Sequence, residues 1–370
     1  MSDLLSCFSS LSDPRVKRTQ LHNFQDVLML VICGVIAGCD DWTAIEAYGK
    51  AKLDFLKGFL QLENGIPSHD TLGDIFAKID PQAFEQCFLK WTLGVCQLFD
   101  GEVVSIDGKQ LRGSYDRASK KAPIHMVSAW ANANRMVLGQ VKVDNKSNEI
   151  TAIPALLKVL VLKNCLVTID AVGCQRGIAQ QIIEAQADYL LALKGNQGEL
   201  LAQVQASFER QVAFDSYTEY NNDHGRLEKR HYQVITDLKW IENQADWKAL
   251  KTLVKVESTL CYKINAQTST DVRYYISSLT MVDKQKHILG IAQGVRAHWG
   301  IETSLHWCLD VVFQEDDSRM RKGYSDQNFS LVRKIALNVL REDKTAKGGL
   351  KTRRLRAGWD DHYLTKLLKI

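Results

Sequence analysis

Apolar residues over the first 98 positions recur at helical spacing, and no alternating run interrupts them. The apolar stretch 27–39 predicts a buried helix with Asp26 as its cap. Trp42, Ile45, Tyr48 and Leu53 follow Asp41 at close to helical intervals. Ser68 opens a turn after Pro67, and Asp80-Pro81 supplies an N-cap with proline at the first helical position. These signals predict four or five helices forming a separate N-terminal domain over 1–98.

The period changes near residue 101. Val103 to Asp107 reads as a strand, and 124–131 and 136–143 as a hairpin joined by Asn132-Ala133-Asn134-Arg135. A helix over 152–162, a strand over 165–170, a helix over 177–187 and a strand over 189–193 follow. Three strands, helix, strand, helix, strand is the order of a ribonuclease-H-like core, an α/β fold with a mixed sheet and flanking helices. From 196 to about 282 the pattern is β-rich again, with candidate strands at 230–235, 253–257 and 272–277. Helical spacing returns over 284–309. The expected second domain is therefore 99–370, with a β insertion placed before a carboxylate-bearing helix. A basic tail over 319–370 is helical from Asn328 to about Arg341 and polar around 344–349.

Composition narrows the class. The chain has 370 residues, 45% hydrophobic and 24% charged, as in ordinary globular proteins of two or three domains. A net charge of +4 says little, but from Arg319 onward fourteen basic residues oppose five acidic ones. That tail, with Arg319, Arg321, Arg353, Arg354 and Arg356, suits either a polyanionic partner or a solvated helix face. The nine cysteines are scattered and never spaced C-x-x-C, which predicts reduced, buried thiols in a cytosolic protein. The run 27–39 is too short to span a bilayer. Ile36-Ala37-Gly38-Cys39 resembles a lipoprotein cleavage site, but a charged preamble precedes it, and a buried helix is the better reading.

The candidate chemistry lies in three carboxylates. Asp107 ends Val103-Val104-Ser105-Ile106, and Asp170 ends Cys165-Leu166-Val167-Thr168-Ile169. Both therefore fall at C-terminal strand rims, where open sheets place their ligand sites. Glu302 lies in an amphipathic helix. At 100° per residue it shares a face with His298, His306 and Asp310. Two strand-end carboxylates and one from a helix make a hard oxygen site for Mg²⁺ or Mn²⁺, the frame for phosphodiester chemistry by two ions. Either aspartate alone also reads as a turn acid. Asp310, Glu315 and Asp316 compete for the third place, but the apolar Trp299-Gly300-Ile301 before Glu302 favours Glu302, and Asp310 reads as a secondary cleft residue or an ion-pair partner. Zinc on His298 and His306 lacks a suitably spaced third ligand. Lys194-Gly195-Asn196-Gln197 has the make-up of a phosphate-gripping turn. His224-Gly225-Arg226 is a basic hairpin start open to DNA or solvent.

With these residues the chain resembles the DDE transposases, and among them the insertion-sequence group related to H-repeat-associated proteins of Rhs elements. Leu11-Ser12-Asp13-Pro14-Arg15 and Ile66-Pro67-Ser68-His69-Asp70-Thr71 are similar to the family's associated helical domain. Asp107-Gly108-Lys109, Lys146-Ser147-Asn148-Glu149-Ile150-Thr151, Leu193-Lys194-Gly195-Asn196-Gln197-Gly198 and the segment 298–317 are similar to its core motifs. The resemblance implies that Asp107, Asp170 and Glu302 bind paired Mg²⁺ or Mn²⁺ ions. It implies cleavage and strand transfer at the element's terminal inverted repeats, with target DNA as the second partner. It further implies a homodimer or higher multimer on DNA, in the cytoplasm of a bacterium and on its nucleoid, with no membrane role. Lys109, Arg296, His298 and His306 are expected phosphate contacts. Here His298 and Val295 stand where better-known relatives carry Arg and Tyr. The rival readings are a catalytically silent or domesticated DNA-binding relative, and a metal-dependent nuclease without strand transfer.

Overall fold

The computed structural model describes residues 4–116, 121–144, 147–223, 225–262, 267–281 and 283–370. Lys146 of one motif, His224 of the basic hairpin and the expected end of the insertion at 282 lie outside them. The strands are β1 (Val103–Gln110), β2 (His125–Ala131), β3 (Met136–Lys142), β4 (Leu166–Ile169), β5 (Asp188–Leu193), β6 (Asp215–Asp223), β7 (Arg226–Ile235), β8 (Thr252–Tyr262) and β9 (Thr268–Ser277). The first seven helices are α1 (Leu4–Phe8), α2 (Phe24–Ile36), α3 (Trp42–Ala51), α4 (Leu53–Leu56), α5 (His69–Phe76), α6 (Pro81–Val95) and α7 (Glu149–Val159). The others are α8 (Arg176–Glu184), α9 (Gly198–Arg210), α10 (Lys284–Gly300), α11 (Trp307–Val311), α12 (Ser325–Glu342), α13 (Leu350–Trp359) and α14 (Asp361–Leu368). A π-helical turn, Ile301–His306, joins α10 to α11.

The chain divides into two compact units. One comprises 1–97, 108–148 and 302–370, and the other 98–107 and 149–301. The N-terminal helices thus share a unit with the β2–β3 hairpin and the C-terminal helices, rather than forming a body of their own. Strand β1 is divided, its first residues in the second unit and Gly108–Gln110 in the first. The sheet order is β3-β2-β1-β4-β5-β9-β8-β7-β6, a mixed sheet in which the β3-β2-β1-β4-β5 part follows the ribonuclease-H-like order expected.

In the first unit, α2 is apolar nearly all round and almost wholly buried, as such a helix must be. Its cap is Asn23, whose side chain accepts from Gln25 N and Asp26 N. Asp26 sits inside the helix, and its Oδ2 accepts from Leu62 N at 2.9 Å. Asp41, Ser68 and Asp80 cap α3, α5 and α6 as their sequence positions predict. Helix α12 packs on α2, and every residue from Ser325 to Arg341 is buried, charged ones included.

In the second unit, β1, β4 and β5 run parallel, and β9, β8, β7 and β6 extend the sheet antiparallel. Strand β6, Asp-Ser-Tyr-Thr-Glu-Tyr-Asn-Asn-Asp, carries no apolar alternation and was not predicted. Helix α10 lays Ile288, Ile291, Ala292 and Val295 on Leu166, Leu190, Val254 and Val256. Gly294 permits this close seat, because a Cβ there would meet Leu166 and Leu190 methyls at 2.8 and 2.9 Å.

Candidate active site

The parallel register of β1 and β4 pairs Ser105 with Thr168 and Ile106 with Ile169. Asp107 and Asp170 are the next residues, on neighbouring strands spaced about 4.8 Å apart. Asp170 follows the last residue of β4, whereas β1 runs on past Asp107 to Gln110, so Asp107 lies inside its strand and not at the rim its sequence predicts. Both are half-buried. Asp170 Oδ1 accepts from Val172 N at 3.0 Å and Gly173 N at 3.3 Å, an Asx-type turn that fixes the carboxylate. Burial raises its pKa, opposed by those two N–H groups and by the charge of Lys194. The turn after β5 braces the same loop. Asn196 Nδ2 donates to Ala171 O at 2.6 Å, and Gln197 Nε2 to Cys174 O at 3.0 Å. The amides expected to grip phosphate therefore hold the Asp170 loop, while the Lys194 side chain is exposed beside it.

One layer below the two aspartates lies a hydrogen-bonded row. Strand periodicity puts Ser105 on the face of Asp107 and Thr168 on the face of Asp170. Thr168 Oγ1 donates to Ser105 Oγ at 3.0 Å, and Ser105 Oγ donates to Ala297 O at 3.2 Å. Thr168 Oγ1 has thus spent its proton. The 3.2 Å contact with His298 Nδ1 then requires Nδ1–H to donate, which leaves the lone pair on Nε2. Burial pushes the His298 pKa down to about 4, so the ring is neutral at pH 7. It cannot supply the positive charge that an arginine would. Arg296, one residue from that row, is exposed and paired with Glu219 at 3.1 Å.

Glu302 is exposed and lies in the π-helical turn. Wider π winding breaks the 100° step, so the stripe of His298, Glu302, His306 and Asp310 expected on one α-helical face is not continuous. π turns within helices recur at functional sites. His306 is half-buried, and burial, with Lys109 and Lys334 near, pushes its pKa down to about 3.

Asp310, Glu315 and Asp316 converge elsewhere, on Lys109. The Lys109 ammonium bonds Asp310, Glu315 Oε2 at 3.0 Å and Asp316 Oδ1 at 3.3 Å. Burial would lower the lysine pKa, but Glu315 and Asp310 outweigh it and raise it. The ion-pair reading of Asp310 holds. Glu315 is fully buried with Oε1 accepting from Ser330 Oγ at 2.9 Å, and Ser330 Oγ accepts from Lys334 Nζ at 3.0 Å. Lys334 also donates to Gln140 Oε1 at 2.6 Å. Burial holds the Lys334 pKa down at about 8 and the Glu85 pKa up at about 7. Sequence reasoning missed this chain, although basic residues recurring among apolar ones in α12 were its visible signal.

The tail arginines divide by burial. Arg354 is 4% exposed and donates to Val35 O and Cys39 O, with Asp40 Oδ1 at 2.8 Å. Arg353 donates to Leu340 O, Asp343 O, Ala346 O and Gly348 O, closing the C-terminal end of α12. Neither is placed as a phosphate ligand, because carbonyl oxygens already take their guanidinium protons. Arg356 is half-exposed, pairs with Asp360 at 3.2 Å and lies on the Tyr363 ring. Arg319 is exposed, and Arg321 Nε donates to Gly113 O at 2.8 Å. Both line a cavity of about 660 Å³ with Asp41, His69 and Asp74.

Among the described residues no three His, Cys, Asp or Glu side chains are grouped to hold a metal ion. The aspartate pair still fits a hard cation, because Mg²⁺ is usually held by one or two carboxylates with water and substrate phosphate. Among the described residues no helix is long and apolar enough to cross a membrane.

Residues 94–339 match the transposase DDE domain family, and residues 5–92 match the DDE_Tnp_1-associated family. "Putative transposase YncI" of Escherichia coli O157:H7 is 42% identical, covering 100% of this chain and 95% of that one. "H repeat-associated putative transposase YhhI" of Escherichia coli K12 is 39% identical, covering 100% and 98%. A piggyBac transposase in a synaptic complex with hairpin DNA is 11% identical with a TM-score of 0.44, covering 100% and 81%. The chain belongs to the transposase DDE domain family.

Proposed function

We propose that this transposase binds the terminal inverted repeats of its own mobile DNA, cuts there and joins the ends to target DNA. Asp107, Asp170 and Glu302 form its acidic triad. The observation that carries the reading is the parallel register that sets Asp107 of β1 beside Asp170, the residue after β4, in a chain of this family. The triad would hold two Mg²⁺ or Mn²⁺ ions, which when bound activate water and stabilise charge on the scissile phosphate. Asp107 and Asp170 supply oxygen donors from the rigid sheet. The backbone N–H groups of Val172 and Gly173 keep Asp170 oriented. Glu302 comes from a helical turn whose exposure lets DNA approach. The neutral His298 offers an acceptor at Nε2, and Lys194, Arg296 and Arg319 are exposed cations for backbone phosphates. The protein works in the bacterial cytoplasm, on the nucleoid, as a dimer or higher multimer that brings two DNA ends together.

The test uses full-length protein and duplexes carrying the inverted repeats that border its gene. Cleavage and joining to a second DNA are expected with Mg²⁺ or Mn²⁺ and are lost on chelation. Undiminished activity in excess chelator contradicts the acid-triad chemistry. Cleavage without joining marks a nuclease, and binding without cleavage marks a silent relative. The exposure of Glu302 and the lack of a three-carboxylate group among the described residues are the observations on that last side.

A further inference from the structure

We propose that Lys109 is a positioning residue: its carboxylate cage clamps the strand end beside Asp107 to the chain segment that follows Glu302. This rests on the triad reading above. Lys109 stands two residues after Asp107 on β1, so the two side chains leave the strand on one face. An ammonium has three N–H donors. Asp310, Glu315 and Asp316 accept from it, and the side chain is only 12% exposed. No donor is left for a DNA phosphate, which separates Lys109 from the exposed Lys194.

The cage is one part of a longer clasp. Arg112 N donates to Asp316 Oδ1 at 3.4 Å, and Arg321 Nε donates to Gly113 O at 2.8 Å. Gly113 leaves no room between them, since a Cβ would lie 2.3 Å from Ser318 O and 2.6 Å from Asp316 O. Farther along, Lys121 Nζ donates to Arg321 O at 2.9 Å and pairs with Asp326 at 2.6 Å. The chain just past Asp107 is thus fastened at successive points to residues 310–326. Glu315 itself is held at both oxygens, by Lys109 and by Ser330. The π turn bearing Glu302 lacks regular α-helical winding, and the clasp eight residues on supplies the restraint that winding does not.

Mn²⁺ affinity of the DNA-free, full-length protein, read by electron paramagnetic resonance, tests the proposal beside thermal unfolding and single-turnover cleavage of the inverted-repeat duplex. Lys109→Met alone removes a hydrogen-bond partner from buried Glu315 and leaves it only Lys334 and Arg333 as nearby cations, so a loss of folding there would not discriminate. The informative variant is therefore Lys109→Met with Glu315→Gln, which removes both charges. It is expected to stay folded but to melt several °C below the parent, because buried Lys334 and Arg333 lose Glu315 as a counter-charge. Its Mn²⁺ affinity and cleavage should each fall about 10–100-fold, as when a group that orients metal ligands is removed. Asp310→Asn keeps the Lys109–Glu315 pair and should fold normally, with about a tenfold weaker Mn²⁺ affinity. Lys109→Arg should recover part of both readouts. Parent-like Mn²⁺ affinity and cleavage in a folded double variant or in Asp310→Asn overturn the proposal and leave Lys109 as charge compensation for Glu315. Asp107→Asn separates the two readings. If it abolishes Mn²⁺ binding while the Lys109 variants do not change it, only the Lys109 role fails. If it leaves Mn²⁺ binding intact, the triad reading fails too.

Discussion

The two compact units use the same residue types in opposite ways. In the second unit, charge collects on neighbouring parallel strands, where Asp107 in β1 and Asp170 just past β4 stand half-buried above the Ser105–Thr168–His298 row. In the first unit, Glu315, Arg333, Lys334 and Arg354 are almost wholly inside the core, each with hydrogen-bond partners. Buried ion pairs contribute little net stability, but removing one partner strands the other charge in a poor solvent. The contrast teaches that formal charge along a sequence locates chemistry only when the backbone leaves the charged groups accessible. The sheet that carries the aspartate pair does so, and a helix buried on every side does not.

The contrast can be broken most sharply at Arg354. Arg354→Ala removes a guanidinium from Val35 O, Cys39 O and Asp40, and should cost about 3–5 kcal/mol in denaturant unfolding. Arg356→Ala, at an exposed i,i+4 pair with Asp360, should cost under about 1 kcal/mol. Equal, small losses at both would show that the tail is a solvated face after all.

The floor beneath the aspartates carries its own signature in acid. His298 has a folded pKa near 4, below its ordinary 6.5. The unfolded chain therefore binds the extra proton first, and stability is full above pH 6.5 and drains away as pH falls toward 4. This group alone should account for roughly 2–3 kcal/mol by pH 4. His298→Gln should flatten that part of the stability profile. A slope unaltered by the substitution would place the acid sensitivity elsewhere.

A smaller effect is expected at Gly113. Adding a methyl there drives it into the backbone carbonyls of Ser318 and Asp316, so Gly113→Ala should lose about 1–3 kcal/mol through overpacking. Gly177, where a Cβ meets nothing within 4 Å, is the control, and the two should differ clearly in melting temperature.

Much of the second unit is legible in its sequence. The alternation in β7, β8 and β9 and the aliphatic runs of β1, β4 and β5 announce strands because one or both faces are buried. The two aspartates announce themselves as the residues that end those runs. Strand β6 is silent because it sets only tyrosines, Tyr217 among them on the core, into an otherwise polar run, and its pairing to β7 comes from backbone hydrogen bonds. The π turn is equally silent, since a change from i→i+4 to i→i+5 bonding leaves no mark in hydrophobic spacing. The basic tail misleads for a third reason. Lys334 and Arg354 are exposed in nearly all simple expectations, and only the three-dimensional supply of carbonyls and Glu315 makes their burial tolerable. Asp310 shows the limit of face arguments, because proximity along a helix could not separate a metal ligand from the Lys109 partner it is.

The most direct measurement compares Glu302→Gln with Asp310→Asn in single-turnover cleavage of the inverted-repeat duplex, with DNA binding recorded alongside. Glu302→Gln keeps size and hydrogen bonding but removes the charge that a divalent cation needs, so cleavage should fall by several orders of magnitude while DNA binding persists. Asp310→Asn should lose about 10–100-fold, as expected of a group that acts through Lys109. Near-parental cleavage by Glu302→Gln together with a dead Asp310→Asn would contradict the account and move the third carboxylate of the site to Asp310.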